Sequence, residues 1–119
     1  MNNKELRLIV GLTITEGQLE LFKTRVLALI EKVETTEPTT ISYEWFINDA
    51  ENKCYVCESF SSSEALLLHS QNSGSALGPV LELAPITEMI VFGNPNKEVV
   101  AALSEHGAQF LAFEAGFSR

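Results

Sequence analysis

The sequence predicts an α+β fold in which strands and helices follow one another in the order β-α-β-β-α-β. Three observations predict it. Apolar residues alternate with period two near the start of the chain, they recur at helical spacing over the next stretch, and two further alternating runs are joined by a short polar turn. A chain of 119 residues has the length of one domain. Residues 1–119 are therefore predicted to form a single one.

The first strand and the first helix are the most regular part of the pattern. The strand is predicted from Leu6 to Thr15, with one apolar face made of Leu6, Leu8, Val10, Leu12 and Ile14. Thr15 and Gln18 then have the spacing of a helix cap. The helix that follows has an apolar stripe made of Leu19, Phe22, Val26, Leu29, Ile30 and Val33. We expect it to end near Thr36, because Pro38 cannot continue a helix.

The second and third strands, Ile41 to Asn48 and Cys54 to Phe60, are predicted to form a hairpin across the polar residues between them. The simplest register of that hairpin makes Glu44 and Glu58 neighbours on the face that the helices cover. Phe46 shares this face. The opposite face then carries the aromatic side chains of Tyr43, Trp45 and Tyr55. These aromatic residues predict that a second copy of the sheet covers that face.

The next segment is predicted to hold two separate helices. A capping box at residues 61–64 begins the first, which is expected to end near Asn72 because Ser73 and Gly74 follow. A short apolar helix through residues 80–83 is then expected to stop at Pro85.

A fourth strand, Ile86 to Gly93, precedes a last helix that Asn94 caps and Gly107 ends. The tail, residues 110–117, carries three phenylalanines and is expected to pack across a sheet. This order is the ferredoxin-like βαββαβ fold with a C-terminal helix. Because its helices cover only one side of the sheet, we expect a dimeric α+β barrel formed by a homodimer.

Composition and charge argue against several classes of function. The formal net charge of −8 opposes binding to nucleic-acid phosphates or anionic lipids. No apolar run reaches the roughly 20 residues of a membrane span. Charged residues at positions 4–7 interrupt any signal peptide, so a cytoplasmic location is expected. Cys54 and Cys57 lie three apart in a strand, on opposite faces, and are interpreted as reduced cysteines.

Several short segments carry a resemblance to a known family. They are Tyr43-Glu44-Trp45-Phe46, Glu58-Ser59-Phe60 and Ser63 to His69, extended by residues 72–74, 92–95 and 116–119. The most specific element is a strand glutamate followed, on the next helix, by Ser-x-Ala-x-x-x-His. In these segments, which span nearly the whole chain, the sequence resembles the antibiotic biosynthesis monooxygenase superfamily and, within it, its quinol monooxygenase-like proteins.

The resemblance implies a homodimer and a pocket between the sheet and the helices of each subunit. Several members of the superfamily oxidise phenolic or anthrone-like compounds with dioxygen and use neither a metal nor an organic cofactor. Other members degrade haem or isomerise small sugars. The resemblance alone therefore does not fix the reaction.

His69 is the first candidate for catalysis, as a general base on the inward side of a helix. A phenol that loses its proton becomes electron-rich enough to pass an electron to dioxygen. The alternative is a structural histidine. Glu58 and Glu44 would repel each other on an apolar face, so that one is held protonated or one pairs with His69 and fixes its tautomer. Alternatively, Arg7 or Lys53 neutralises one of them at the rim of the sheet.

The remaining candidates concern substrate binding, for which Glu44 is also a candidate. Asn72 either donates to a substrate oxygen or caps its helix. Four apolar residues are candidates for a pocket wall, with core packing as the alternative: Phe46, Phe60, Leu68 and Met89. No metal site is predicted, because His69 and His106 lack metal-ligand spacing with a cysteine. His106, near a helix end, is interpreted as structural.

The leading hypothesis is therefore a cofactor-independent monooxygenase that oxidises a small hydrophobic phenol or quinol with dioxygen. The main alternative is a non-catalytic protein that binds a small, quinone-like ligand. Haem binding and isomerase chemistry using the same base are the further alternatives.

Overall fold

The computed structural model describes residues 4–119 and contains one five-stranded sheet with its helices. The elements are β1 (Leu6–Thr13), α1 (Leu19–Thr36), β2 (Thr40–Asn48), β3 (Lys53–Phe60), α2 (Ser63–Leu81), β4 (Ile86–Phe92), α3 (Lys97–Ser104) and β5 (Gln109–Leu111). The strand order is β2-β3-β1-β4-β5. All neighbouring strands are antiparallel except β4 and β5, which are parallel. The predicted α+β, ferredoxin-like fold is confirmed, with β5 as an added strand.

Strand β1 lies at the centre of the sheet, paired with β3 on one side and β4 on the other. Its alternating pattern buries one face, as the sequence predicted. The buried side chains of this segment are Leu6, Leu8, Val10, Leu12 and Ile14. A central strand with one apolar face fixes its own register, because a shift of one residue would turn every one of these side chains to the other side.

Helix α1 covers the inner face of the sheet with the predicted stripe. Its buried residues are Phe22, Val26, Leu29 and Val33. The predicted cap is wrong, since Gln18 occupies the N-cap position without a side-chain hydrogen bond. The reason is a tight turn before the helix, in which Gly17 has a φ of 84° and the Gln18 N–H donates to the Thr15 carbonyl.

The hairpin of β2 and β3 has a register that differs by one residue from the simplest one. Tyr43 pairs with Glu58, and Trp45 pairs with Val56. The turn begins with the short 3₁₀ segment Asp49–Glu51 and closes at Asn52, which has a φ of 55°. Because a one-residue shift reverses the faces of a strand, Tyr43 and Trp45 point inward.

The predicted faces of β2 are therefore wrong, while those of β3 are confirmed. Phe46 pairs with Tyr55 on the outer face, where their side chains are 56% and 41% exposed. Glu44 lies opposite Cys57 and not beside Glu58. Both cysteines are free and lie on opposite faces, as predicted.

Helix α2 is continuous, which contradicts the predicted break after Asn72. Ser62 caps it and accepts a hydrogen bond from the Ala65 N–H. Gly74 and Gly78 lie within the helix, and Pro79 falls in its last turn. A proline there removes one hydrogen bond near the end of the helix and leaves the preceding turns intact. The Pro79 carbonyl accepts a hydrogen bond from Arg25 Nη1 at 2.6 Å, which ties α2 to α1.

The C-terminal segment departs from the prediction at its cap, whereas its tail borders a groove on the outer face of the sheet, as predicted. Asn96, two residues after the predicted position, caps α3 through the Val99 N–H. Gly107, with a φ of 73°, follows the end of α3 as predicted. After β5 the tail is exposed, with Phe113 69% and Phe117 81% accessible. Among residues 4–119 there is no helix of the length and apolar character that crossing a membrane requires.

The packing of α1 gives a direct test of this architecture. Phe22 has no exposed surface, whereas Leu27 on the same helix is 68% exposed. Phe22→Ala is expected to lower the free energy of unfolding by about 3–5 kcal/mol, because it leaves a cavity in the core. Leu27→Ala, the matched control, should change it by less than about 0.5 kcal/mol. Urea unfolding followed by circular dichroism measures both. Equal losses for the two variants would contradict the inward orientation of Phe22.

Candidate functional site

A cavity of about 240 Å³ lies between the inner face of the sheet and helix α2. Most of its wall is apolar. The apolar lining residues are Leu8, Val10, Leu12, Val56, Leu66, Leu77, Leu81, Ile86, Met89 and Leu103. Polar side chains also line it: Tyr43, Trp45, Glu58, His69, Ser70, Ser73 and His106. Pockets of this kind, apolar with a few converging polar groups, are typical of sites for small molecules.

His69 lies at the wall of this cavity, and its imidazole is held on both edges by carboxylates. Its Nδ1 is 2.6 Å from Oε1 of Glu37, and its Nε2 is 3.3 Å from Oε1 of Glu58. The ring also packs against aromatic residues, with centroids 5.2 Å from Tyr43 and 5.1 Å from Phe60. These contacts fix both the position and the plane of the imidazole.

Glu37 is the residue that the sequence analysis did not identify. It follows the last residue of α1, and only 3% of its surface is exposed. Thr40 Oγ1 donates to its Oε1 at 2.9 Å, and Asn72 Nδ2 donates to its Oε2 at 2.7 Å. Because both oxygens already accept hydrogen bonds, the Nδ1 of His69 is the donor in its contact with Glu37. The other ring nitrogen, Nε2, faces Glu58.

Glu58 comes from the inner face of β3 and is 7% exposed. Burial raises the pKa of its carboxyl above the usual range, while the hydrogen bond and the charge of His69 oppose that rise. Burial alone would lower the pKa of His69, but Glu58 and then Glu37 outweigh it and raise that pKa. Glu58 and His69 are therefore coupled, and the protonation of each depends on that of the other.

Tyr43 and Trp45 complete the polar part of the wall, contrary to their predicted place on the outer face. Burial, followed by the charge of Glu58, raises the pKa of Tyr43, so its phenol stays protonated at neutral pH. The Nε1 of Trp45 is buried and has no hydrogen-bond partner within the described part of the chain. The two rings meet edge to face, with centroids 5.7 Å apart.

The structure brings together some of the predicted site residues and separates others. His69 and Glu58 are in contact, and Met89 lines the cavity. Asn72 binds Glu37 and the hydroxyl of Thr36, so it holds the carboxylate in place instead of pointing at a ligand. Phe60 has no exposed surface and packs against the imidazole.

Three predicted residues lie away from the cavity. Leu68 is 48% exposed on the outer side of α2. Phe46 and Glu44 lie on the outer face of the sheet, and Glu44 lines a second groove, of about 600 Å³, between that face and the tail. The pocket-wall prediction is wrong for Leu68 and Phe46, and the predicted contact of Glu44 with Glu58 is wrong. The cause is the hairpin register for Phe46 and Glu44, and the outward direction of the side chain for Leu68.

His106, interpreted as structural from the sequence, also lines the cavity, at the side where α3 ends. No sequence signal distinguished it from an exposed histidine at a helix end. Among the described residues, no three side chains of His, Cys, Asp or Glu are arranged so as to hold a metal ion.

Comparisons with known proteins agree with this fold. MupZ of Pseudomonas fluorescens, known from a crystal structure, is 27% identical, with a TM-score of 0.88 over 98% of this chain and 96% of that protein. A candidate antibiotic biosynthesis monooxygenase of Caulobacter crescentus is 18% identical, with a TM-score of 0.65 over 75% of this chain and 86% of its own. A conserved protein of Methanosarcina mazei is 14% identical, with a TM-score of 0.67 over 77% of this chain and 94% of that protein.

For the last two proteins, the likeness to this chain shows the fold alone. No curated protein matches it in sequence. The family described as antibiotic biosynthesis monooxygenase matches residues 6–76, which are more than half of the chain and include β1 to most of α2. This chain therefore belongs to the antibiotic biosynthesis monooxygenase family.

Proposed function

We propose that the cavity binds a small hydrophobic phenol or quinol and that the Glu37–His69–Glu58 group starts its oxidation by dioxygen. One observation carries the proposal: a histidine held between two buried carboxylates lies at the wall of an otherwise apolar cavity. The cavity volume of about 240 Å³ is below the roughly 300–1,000 Å³ of sites for drug-sized ligands. It therefore suits a molecule of one or two rings.

In this proposal, the pair of His69 and Glu58 removes the proton of the substrate hydroxyl. Both side chains line the cavity, and both have raised pKa values for the causes given above. A base is most effective when its pKa is close to the working pH. Glu37 does not line the cavity, so it is a positioning residue that holds the Nδ1–H of His69.

The substrate anion then supplies the electrons that dioxygen requires. Transfer of one electron gives a substrate radical and superoxide, and their combination at a ring carbon that bears hydrogen forms a carbon–oxygen bond in a peroxide anion. The proton held by His69 and Glu58 returns to this anion and gives a hydroperoxide. Cleavage of its O–O bond and loss of the hydrogen on the same carbon leave a carbonyl group and release water, so one oxygen atom enters the product and the other leaves in water. All electrons come from the substrate, so the sequence of steps requires no cofactor.

We also propose that the outer face of the sheet forms a homodimer. Phe46 and Tyr55 stand side by side on that face and are both exposed, and the tail adds Phe113 and Phe117. Exposed aromatic residues clustered on one sheet face are typical of an interface between subunits.

The dimer can be tested by light scattering after size-exclusion chromatography. The wild type is expected to have twice the mass of the chain, and Phe46→Lys is expected to shift it toward the monomer, because a lysine would be buried without a partner. Leu27→Lys changes an exposed leucine on α1 and should leave the mass unchanged. A monomeric wild type would contradict the proposed dimer without affecting the cavity.

Oxygen uptake tests the proposed reaction. Wild-type protein is expected to consume dioxygen with some members of a panel of hydroquinones and naphthohydroquinones. His69→Ala is expected to do so at a rate at least about 100-fold lower, because a general base contributes about 10²–10⁴-fold. Leu68→Ala, an exposed neighbour on α2, is the control and should keep the rate. Equal uptake by the wild type and His69→Ala would contradict a role for this base.

The ionisation of His69 can be measured directly, since the chain has two histidines. Glu37→Gln is expected to lower the pKa of His69, because burial still acts to lower it and one of the two carboxylates that raise it is lost. Glu34→Gln, at an exposed position of α1, should have no effect. Proton NMR of the imidazole Cε1–H signals follows the titration, and His106→Gln assigns them.

The contact between His69 and Glu37 also makes the stability of the fold depend on pH. Because the pKa of His69 is raised on folding, its stabilising effect is complete below the unfolded value of about 6.5 and is lost as the pH rises through the raised value. The stability difference between the wild type and Glu37→Gln should therefore shrink at alkaline pH. A pKa of His69 that is unchanged in Glu37→Gln would contradict the assigned contact.

A further inference from the structure

The cavity reaches the surface along one edge of helix α2. Four residues of this helix recur at helical spacing and line the cavity as one stripe: Ser70, Gly74, Leu77 and Leu81. Ser70 and Gly74 are exposed, whereas His69 and Ser73, one residue earlier on the neighbouring stripe, are buried. The stripe that contains Ser70 and Gly74 is therefore the margin at which the cavity meets solvent.

His106 forms the other margin. Among the described residues that line the cavity, the exposed ones are Ser70, Gly74 and His106. Helices α2 and α3 begin side by side, because the Asn96 N–H at the N-cap of α3 donates to Ser63 Oγ at 2.9 Å. His106 follows the end of α3. The mouth of the cavity therefore lies in the seam between α2 and the end of α3.

Gly74 at this mouth has no structural reason to be a glycine. Glycine in the interior of a helix weakens it relative to alanine. Gly74 lies within α2, and its φ is not positive. A Cβ atom at this position would have no heavy atom within 4 Å outside its own stretch of helix. Neither the backbone conformation nor the packing of the protein therefore requires the absence of a side chain.

Gly78, in the same helix, shows the contrast. A Cβ atom there would also meet nothing within 4 Å, but Gly78 precedes Pro79. The ring of a proline clashes with the Cβ of a preceding residue in helical conformation, so a glycine relieves the local strain. Gly78 is not among the residues that line the cavity. Gly74 has no such local explanation, and a glycine also allows a ligand to approach the backbone closely.

We propose that the substrate is a phenol or quinol whose ring carries a polar substituent, and that this substituent passes over the backbone of Gly74 to the surface. The inference rests on the proposed function for the ring in the cavity, and it deepens it by naming the substrate class. The cavity of about 240 Å³ holds the ring, and the substituent leaves between α2 and His106. Gly74 is then a specificity-determining residue.

The chemistry of the mouth favours a polar substituent. The Ser70 hydroxyl and the His106 imidazole can each donate and accept hydrogen bonds, and both residues are exposed to water. An ether or hydroxyl chain therefore keeps its hydrogen bonds as it passes between them, whereas an apolar chain would lie against water. A side chain at position 74 would occupy the path of the substituent and leave the space for the ring unchanged.

Three probes separate the ring from its substituent. 4-Methoxyphenol is compact and represents the ring alone. The monoethers of hydroquinone and of resorcinol with a triethylene glycol chain carry the same ring with a long polar chain, at the para and the meta position respectively. Because the cavity suits one or two rings, a chain of this length must leave it when the ring is bound.

Gly74→Leu places a side chain in the mouth, and Ser75→Leu is the matched control. Ser75 is the next residue of α2, is exposed and is not among the cavity-lining residues. By calorimetry, the wild type and Ser75→Leu are expected to bind 4-methoxyphenol and at least one long ether with Kd values within about threefold of each other. Gly74→Leu is expected to keep 4-methoxyphenol within about threefold and to bind that ether at least about tenfold more weakly, because the leucine overlaps the chain.

The outcomes separate this inference from the proposed function. Wild-type protein that binds 4-methoxyphenol but neither long ether would overturn the passage at Gly74 and leave the cavity ligand in place. Equal losses of both kinds of probe in Gly74→Leu, or no loss of the long ether, would also overturn it. If the wild type binds none of the three probes, the cavity ligand of the proposed function fails, and the inference fails with it.

The stability of Gly74→Ala gives an independent readout. Alanine is the better helix former, and its Cβ would meet no neighbour. The melting temperature of this variant, followed by circular dichroism, is therefore expected to rise above that of the wild type. A lower melting temperature would show that the fold itself requires glycine at position 74, and it would remove the reason to assign this residue to the ligand.

Discussion

The structure depends on the burial of an imidazole between two carboxylates. Taking ionisable groups out of water is costly, and removing one member of a buried pair commonly costs about 3–5 kcal/mol because the other is left uncompensated. The Glu37 carboxylate is held by hydrogen bonds with three side chains, those of Asn72, Thr40 and His69. A group held so firmly gives His69 one orientation, with Nδ1 toward Glu37 and Nε2 toward Glu58 at the cavity.

The fold brings these groups together from three separate elements. Glu37 terminates α1, Glu58 lies on β3 beside the central strand, and His69 lies on α2, which packs against α1. The apolar wall of the cavity changes the pKa values of Glu58 and His69. Burial among leucines, valines and methionine raises the pKa of Glu58, and the carboxylates raise that of His69 against the same burial. The protonation of Glu58 and that of His69 therefore depend on each other.

The sequence was sufficient for the parts of the fold in which one face is clearly apolar. In β1 and α1 the spacing of the apolar residues alone predicted which side chains are buried, because only one orientation hides them all. The β2–β3 hairpin was different, since both faces of β2 carry aromatic residues and the pattern does not choose between them. A turn closed by Asn52 in the left-handed conformation decided the register, and with it the inward position of Tyr43 and Trp45.

In the candidate site, too, some residues could be predicted from the sequence and others could not. His69 and Glu58 could be predicted because a strand glutamate and a helix histidine formed a specific pattern. Glu37 follows Glu31 and Glu34, which lie on the solvated face of α1. In sequence it resembles them, and its burial follows only from the packing of α1 against α2. The local sequence also could not predict that α2 continues through Gly74 and Gly78, because tertiary packing overrides the low helix propensity of glycine.

Glu37, His69 and Glu58 are proposed to act on a molecule in the cavity and not only to form a structural buried network. A crystal structure of the protein soaked with 1-naphthol tests it most directly. The ring is expected within the apolar cavity, with its hydroxyl within hydrogen-bond distance of the Glu58 carboxylate or of His69 Nε2. Binding of 1-naphthol only in the groove beneath the tail, or in the cavity with its hydroxyl away from both side chains, would contradict the proposed role of these three residues.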